Sequence, residues 1–231
     1  MLINRFTFVS LVGVLVFGIT LWLGTLSPQS VAHPAEGDAR DPIIAFEMVR
    51  DAAELTAVIG ENRAAYAPLR DAIDKVNRID FLYMTVYGGF IALFFMAVAQ
   101  QRSDRRWLVL SVVGIVAMLA DVRENMVLLQ LTQDGANASP LIEDLISATW
   151  IKWFALGLTS LGAGYAMFED TSMPRLRLIA MIVGLSASIF TCLAYLEPVK
   201  FPQYMALAIF VTWLLMVVYA HLVGRAQYSQ A

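Results

Sequence analysis

The chain has 231 residues, 59% of them hydrophobic and only 15% charged, where soluble domains average roughly 45–50% apolar and 25% charged. A formal charge of −3 without a long basic run excludes a nucleic-acid partner, and the single cysteine, Cys192, excludes an internal disulfide and a Cys/His structural zinc site. This is the composition of an integral membrane protein, and the fold class it predicts is all-α: a polytopic bundle with membrane lipids as its surroundings.

Residues 7–26 supply about twenty uncharged positions behind Arg5, the length a membrane-crossing helix needs. A cleaved secretory signal is the rival reading, because Ser30, Val31 and Ala32 offer a small-residue cleavage site. The apolar stretch is longer than the roughly 7–15 residues of a signal core, so an anchor within residues 1–27 is expected. Residues 28–80 differ in kind, with ten acidic and six basic side chains. They open as a Pro/Ser/Gly-containing linker. Asp41 and Pro42 then look like an N-cap and a first-turn proline, and Gly60 like a stop. This predicts one helix with Phe46, Val49, Ala53 and Ala57 on its apolar face and Glu47, Asp51 and Glu54 on the other. A second amphipathic helix starts near Pro68, with Leu69, Ile73 and Val76 along its apolar side. Both should lie on the membrane surface or pack over the mouth of the bundle.

Residues 81–231 carry five further apolar stretches, at 81–99, 107–131, 140–168, 178–196 and 203–223, which with 7–26 make six spans. Arg102, Arg105 and Arg106 follow the second span, Arg175 and Arg177 the fourth and Arg225 the sixth, whereas the loop at 132–139 has no basic residue. Short basic loops stay cytoplasmic. Both termini are therefore expected inside the cell membrane and residues 28–80 outside it. His33 and His221 then fall on opposite faces, so no histidine metal or haem site is expected. Neither a phosphate loop, a dinucleotide fingerprint nor an internal repeat is present, and no cofactor is expected. The triplet 137–139 matches a glycosylation acceptor formally, but Pro140 follows at once and the match carries no weight.

Small residues predict how the spans pack. Ala180, Gly184 and Ser188 recur every fourth position, and Gly157, Gly162 and Gly164 offer a similar surface on the preceding span, which makes these two a packed pair. Methionine richness is ordinary gap-filling.

The feature that apolar packing does not explain is a group of polar residues within 107–131. At about 100° per residue, Asp121, Glu124 and Asn125 share a face with Gly114 and Ala117, while Arg123 points nearly the opposite way and can snorkel to headgroups. Ionisable residues cost roughly 2.5–3.5 kcal/mol each near a span's centre, so partners are required. Lys152 is the matching charge: it shares a face with Thr149, Ala155 and Thr159, at comparable depth, and an ion pair with Asp121 or Glu124 follows. Asp80, Tyr83 and Tyr87 share a face on the neighbouring span and extend the network. A plainer account makes Asp80 a helix cap, Trp150 and Trp153 interfacial anchors and 121–125 an exposed helix end.

The candidate ligand-binding residues are thus Asp80, Tyr83, Tyr87, Asp121, Glu124, Asn125 and Lys152. The function expected is non-enzymatic: an outward-facing polar pocket that takes a small molecule or a lipid headgroup. Two alternatives stand beside it. One is an enzyme using Asp121 or Glu124 as general base on an amphiphilic substrate, for which no nucleophile motif is present. The other is an accessory subunit that docks a membrane protein partner on the acidic segment.

Overall fold

The structure, a computed structural model, describes residues 4–34, 40–133 and 138–228, and among these it holds helices and no strand. The helices are α1 (Arg5–Leu26), α2 (Pro42–Glu47), α3 (Ala52–Ile59), α4 (Ala67–Arg102), α5 (Leu108–Leu131), α6 (Ala138–Glu169), α7 (Pro174–Leu196) and α8 (Pro202–Tyr228), with a short 3₁₀ turn at Arg105–Trp107 before α5. Proline stands in the first turn of α2, α4, α7 and α8, where its missing N–H has no partner to lose. Asn4 and Asp41 cap α1 and α2 by accepting from the N–H groups of Phe6 and Ile43.

Four helices, α1, α4, α7 and α8, are long and apolar enough to cross a membrane, which supports a membrane location. The other two long helices carry charge: α5 holds Asp121, Arg123 and Glu124, and α6 holds Glu143, Asp144 and Lys152. Leu21, Val109, Val112, Leu178 and Ile182 are among the many large apolar side chains exposed on the outside of the bundle, a surface suited to lipid.

Two expectations about residues 42–102 are corrected. The single helix predicted over 42–59 is two, because the Asp51 carboxylate accepts from the N–H groups of Ala53 and Glu54 at 2.9 and 2.8 Å and starts α3 afresh. That reset turns Leu55, Val58 and Ile59 inward in place of Ala53 and Ala57. Conversely, the amphipathic helix from Pro68 and the span at 81–99 are one continuous helix, α4, which nothing interrupts until Ser103 takes a left-handed φ of 52°.

Of the two placements expected for this segment, packing over the mouth of the bundle is the one found. Phe46, Val49, Leu55 and Ile59 pack with Ile73 of α4, Leu128 and Leu131 of α5 and Ile142 and Leu145 of α6, forming a small apolar core that caps one end of the bundle. The buried Arg70 guanidinium fastens this cap by donating to the carbonyl oxygens of Ile59, Gly60 and Thr132 at 3.0, 2.6 and 3.0 Å.

The six long helices close into a ring in which α1, α4, α5, α6, α7 and α8 each touch the next and α8 returns to α1, while α6 also meets α8 across it. α6 and α7 form the close pair that the small residues predict. A Cβ on Gly164 would sit 2.6 Å from the Ala180 oxygen, one on Gly184 would sit 2.5 Å from the Ser160 oxygen, and Ser188 donates to the Gly157 oxygen at 2.8 Å. Gly162 belongs elsewhere, since it faces Leu110 of α5. Arg175 and Arg177, expected in a loop, lie in the first turn of α7. At the end away from the cap, Arg102 bonds Glu169 and the Ala166 oxygen, tying α4 to α6.

Candidate functional site

The α6–α8 contact sets α7 apart, and a cavity of about 530 Å³ opens among α1, α4, α5, α6 and α8 beneath α2. Lys152 stands on its wall, 3% exposed. Its Nζ is ion-paired with Glu124, lies 3.0 Å from Glu47 Oε2 and 3.3 Å from Asp121 Oδ1, and sits 4.8 Å from the Trp153 ring centroid. The helical spacing that put Asp121, Glu124 and Asn125 on one face with Gly114 and Ala117 is what buries all five. On α6, Thr149, Lys152, Ala155 and Thr159 are likewise buried, whereas Phe154 and Leu158 face out.

Hydrogen bonds carry the network onto α4. Thr149 donates to Glu124. Tyr87 donates its phenol O–H to Asp121 Oδ2 at 2.7 Å, and the Asn125 amide donates to Asp80 Oδ2 at 2.8 Å and to the Asn77 oxygen at 3.1 Å. Tyr83 meets Thr20 of α1 at 3.2 Å. The structure therefore brings all seven sequence-predicted residues close together: Lys152, Asp121, Glu124 and Tyr87 are joined by ion pairs and hydrogen bonds, Asn125 and Asp80 by a bond of their own, and Tyr83 meets the Tyr87 ring at 5.4 Å between centroids. Asp80 is a member of that group inside a continuous helix and not a cap, and Trp153 is buried against Lys152 and not an interfacial anchor. Arg123 stays outside it, paired with Asp144 of α6.

Several contributors were not foreseen. Glu47, assigned to the polar face of its helix, instead turns down from the cap onto Lys152, and burial raises its carboxyl above the ordinary value while Lys152 opposes the shift. Thr20, Gln203, Tyr204, Phe210 and Trp213 also line the cavity, with Trp213 stacked on Tyr87 at 5.3 Å between centroids. On α8, residues 203, 206, 207, 210 and 213 follow helical spacing, and that regularity was the available signal. It could not be assigned to a site without knowing which helix stands opposite.

The charges do not balance. Four carboxyl groups, on Glu47, Asp80, Asp121 and Glu124, meet one ammonium group, and in a dry interior the excess must be met by protons or by a cation. Acceptors thus dominate the polar wall, while Tyr83, Tyr87, Trp153, Tyr204, Phe210 and Trp213 give the lining an aromatic share beside the aliphatic Ile44, Leu156, Leu207 and Ile209. Gln203, Tyr204 and Leu207 are the exposed members of the lining, so the cavity meets the exterior along α8. Among the described residues, no group of three or more His, Cys, Asp or Glu side chains is arranged to hold a metal ion.

Fold and site together fit a helical membrane protein with an acidic, partly aromatic cavity. Set against known proteins, the chain matches no family model, no curated protein and no solved structure.

Proposed function

We propose that the protein is a six-span membrane protein that binds a membrane-resident amphiphile, its cationic head held by the carboxylates around Lys152 and its apolar body against Leu156, Phe210 and Trp213. The carrying observation is the cavity itself, which joins an excess of buried acceptors to an aromatic wall. Aromatic faces and carboxylates both attract a positive head, and the attraction is strongest where water is displaced. The opening beside Tyr204 and Leu207, side chains that suit contact with lipid, favours a ligand arriving from the bilayer over one arriving from water. In this reading α5 and α6 also cross the membrane, their charges turned inward, and residues 28–80 cap the extracytoplasmic end.

The reading is tested with the purified full chain in mild detergent, using dodecylamine, dodecanol and dodecanoate as probes. Dodecylamine should raise the melting temperature at concentrations where the other two do not, and Leu207→Trp, which fills the opening, should abolish the shift without lowering the melting temperature of the free protein. Equal stabilisation by all three probes would reduce the cavity to a non-selective apolar cleft.

A further inference from the structure

A shallower groove, of about 170 Å³, runs along the outside of the bundle between α7 and α8. On α7 it is lined by Val183, Ser186 and Phe190, which share a face by helical spacing, and on α8 by Ala208 and Val211. Tyr204 and Leu207 line both this groove and the acidic cavity, so the two hollows meet at the opening beside those side chains. Phe190 stacks on Tyr204 at 5.7 Å between centroids at that end. Farther along, the short side chains of Ser186 and Ala208 leave the hollow. The Ser186 hydroxyl is turned back to donate to the Ile182 oxygen at 2.8 Å, which leaves it no hydrogen to offer, and no charged residue lines the groove.

We infer that this groove is the tail subsite of the amphiphile: an unbranched alkyl chain leaves the acidic cavity between Tyr204 and Leu207 and lies between α7 and α8, with its end beside Val183 and Val211. The inference rests on the amine reading of the cavity and goes beyond it by saying where the rest of the ligand lies. The first carbons meet Leu156, Phe210 and Trp213, and the remainder passes out through the shared opening. Polarity supports this division, because the acidic wall suits a charged head and the groove suits only hydrocarbon. Direction supports it as well. α7 and α8 are consecutive antiparallel helices, so falling numbers on α7 and rising numbers on α8 both lead from the opening away from the cap. From Phe190 to Val183 is a rise of about 10 Å at 1.5 Å per residue, and a hydrocarbon core is about 30 Å thick. In the six-span arrangement the groove therefore runs toward the bilayer midplane, the course that the chains of neighbouring lipids follow.

The probe is dodecylamine carrying a photoreactive diazirine at the far end of its chain, irradiated with the full chain in mild detergent and mapped by mass spectrometry of the peptides. Label should fall on residues 183–190 and 208–211, and excess dodecylamine should suppress it where excess dodecanol does not. Ser186→Phe fills the groove from α7 and Val211→Trp fills it from α8. Whichever of the two keeps the native melting temperature should lose the suppressible label there, whereas Ile189→Phe, on the exposed face of α7, should keep it. Suppressible label on Ile44, Leu156 or any position outside the groove would put the tail elsewhere and overturn the subsite while the amine reading stands. Label that persists in a folded groove-filling variant does the same. If dodecylamine suppresses label at no position, or dodecanol suppresses it equally, the amine reading fails and the tail subsite with it.

Discussion

Lys152 is surrounded by three carboxylates, and their burial predicts unequal consequences. Glu124 is fully buried and has no access to water, so Lys152→Met strands it, which should destabilise the protein by about 3–5 kcal/mol. Adding Glu124→Gln should recover much of that loss, a non-additivity that a double-mutant cycle on thermal or denaturant unfolding measures directly. Additive effects would show the two side chains to be uncoupled. Glu47 predicts a pH dependence. Its folded carboxyl binds a proton more tightly than the ordinary glutamate value of 4.5 allows. Its contribution to stability is therefore present below that value and is lost as the pH climbs through the raised one. Glu47→Gln has no such proton to lose and should flatten the fall in melting temperature as the pH rises above 4.5; a profile parallel to that of the native protein would assign the pH dependence to other groups. Asp121, Glu124 and Lys152 were legible in the sequence because each is costly inside an apolar run, whereas Glu47, in a segment where charge is ordinary, gave no such signal.

Among the elements, the long helices follow from runs of apolar residues, and the polar faces of α5 and α6 follow from a period of 3.6. What the sequence reading lost was phase. One helix imposed on 42–59 carried the register of Phe46 through Asp51, although Asp51 followed by Glu54 is itself a helix-start pattern, and the error pointed Glu47 away from the site. The boundary placed at Asp80 came from treating charge as the edge of a span, yet in α4 a charged residue sits on the inward face without interrupting the helix. The aromatic wall of α8 depends on contacts between residues more than a hundred positions apart, which local periodicity cannot supply. Packing between α6 and α7 gives the prediction that belongs to this scale. Gly184→Val must push against backbone on the opposite helix and should cost about 1–3 kcal/mol, read as a lowered melting temperature in detergent. Gly18→Ala, which meets nothing within 4 Å, should leave it unchanged or slightly raised. Equal effects at the two sites would remove the close α6–α7 approach as a source of stability.

For the molecule as a whole, alternation of the long helices puts Arg102, Arg106 and Arg177 at the end away from the cap and Lys200 at the end near it. α4, with 36 residues, is about 54 Å long at 1.5 Å per residue, well beyond a hydrocarbon core of about 30 Å. In the six-span arrangement its first turns stand clear of the membrane, where Ile73 packs with α2 and α3. Reporter fusions after Arg106 and Arg177 should read cytoplasmic and a fusion after Lys200 external; matching signals at Arg177 and Lys200 would break the six-span arrangement. Gly135, on the remaining predicted external loop, lies outside the described residues.

If the cavity takes a membrane-resident amphiphile as proposed, the opening beside Tyr204 and Leu207 alters what affinity means for this protein. A ligand that arrives through the bilayer has already left water, so its free concentration is a mole fraction in lipid. Lengthening its chain by one methylene deepens its chemical potential in the membrane by about 0.8 kcal/mol. The cavity wall returns much the same amount, so a homologous series should show dissociation constants that fall steeply with chain length when referred to water and stay nearly level when referred to lipid. The headgroup alone then decides which amphiphile is held, and the tail decides only how many reach the door.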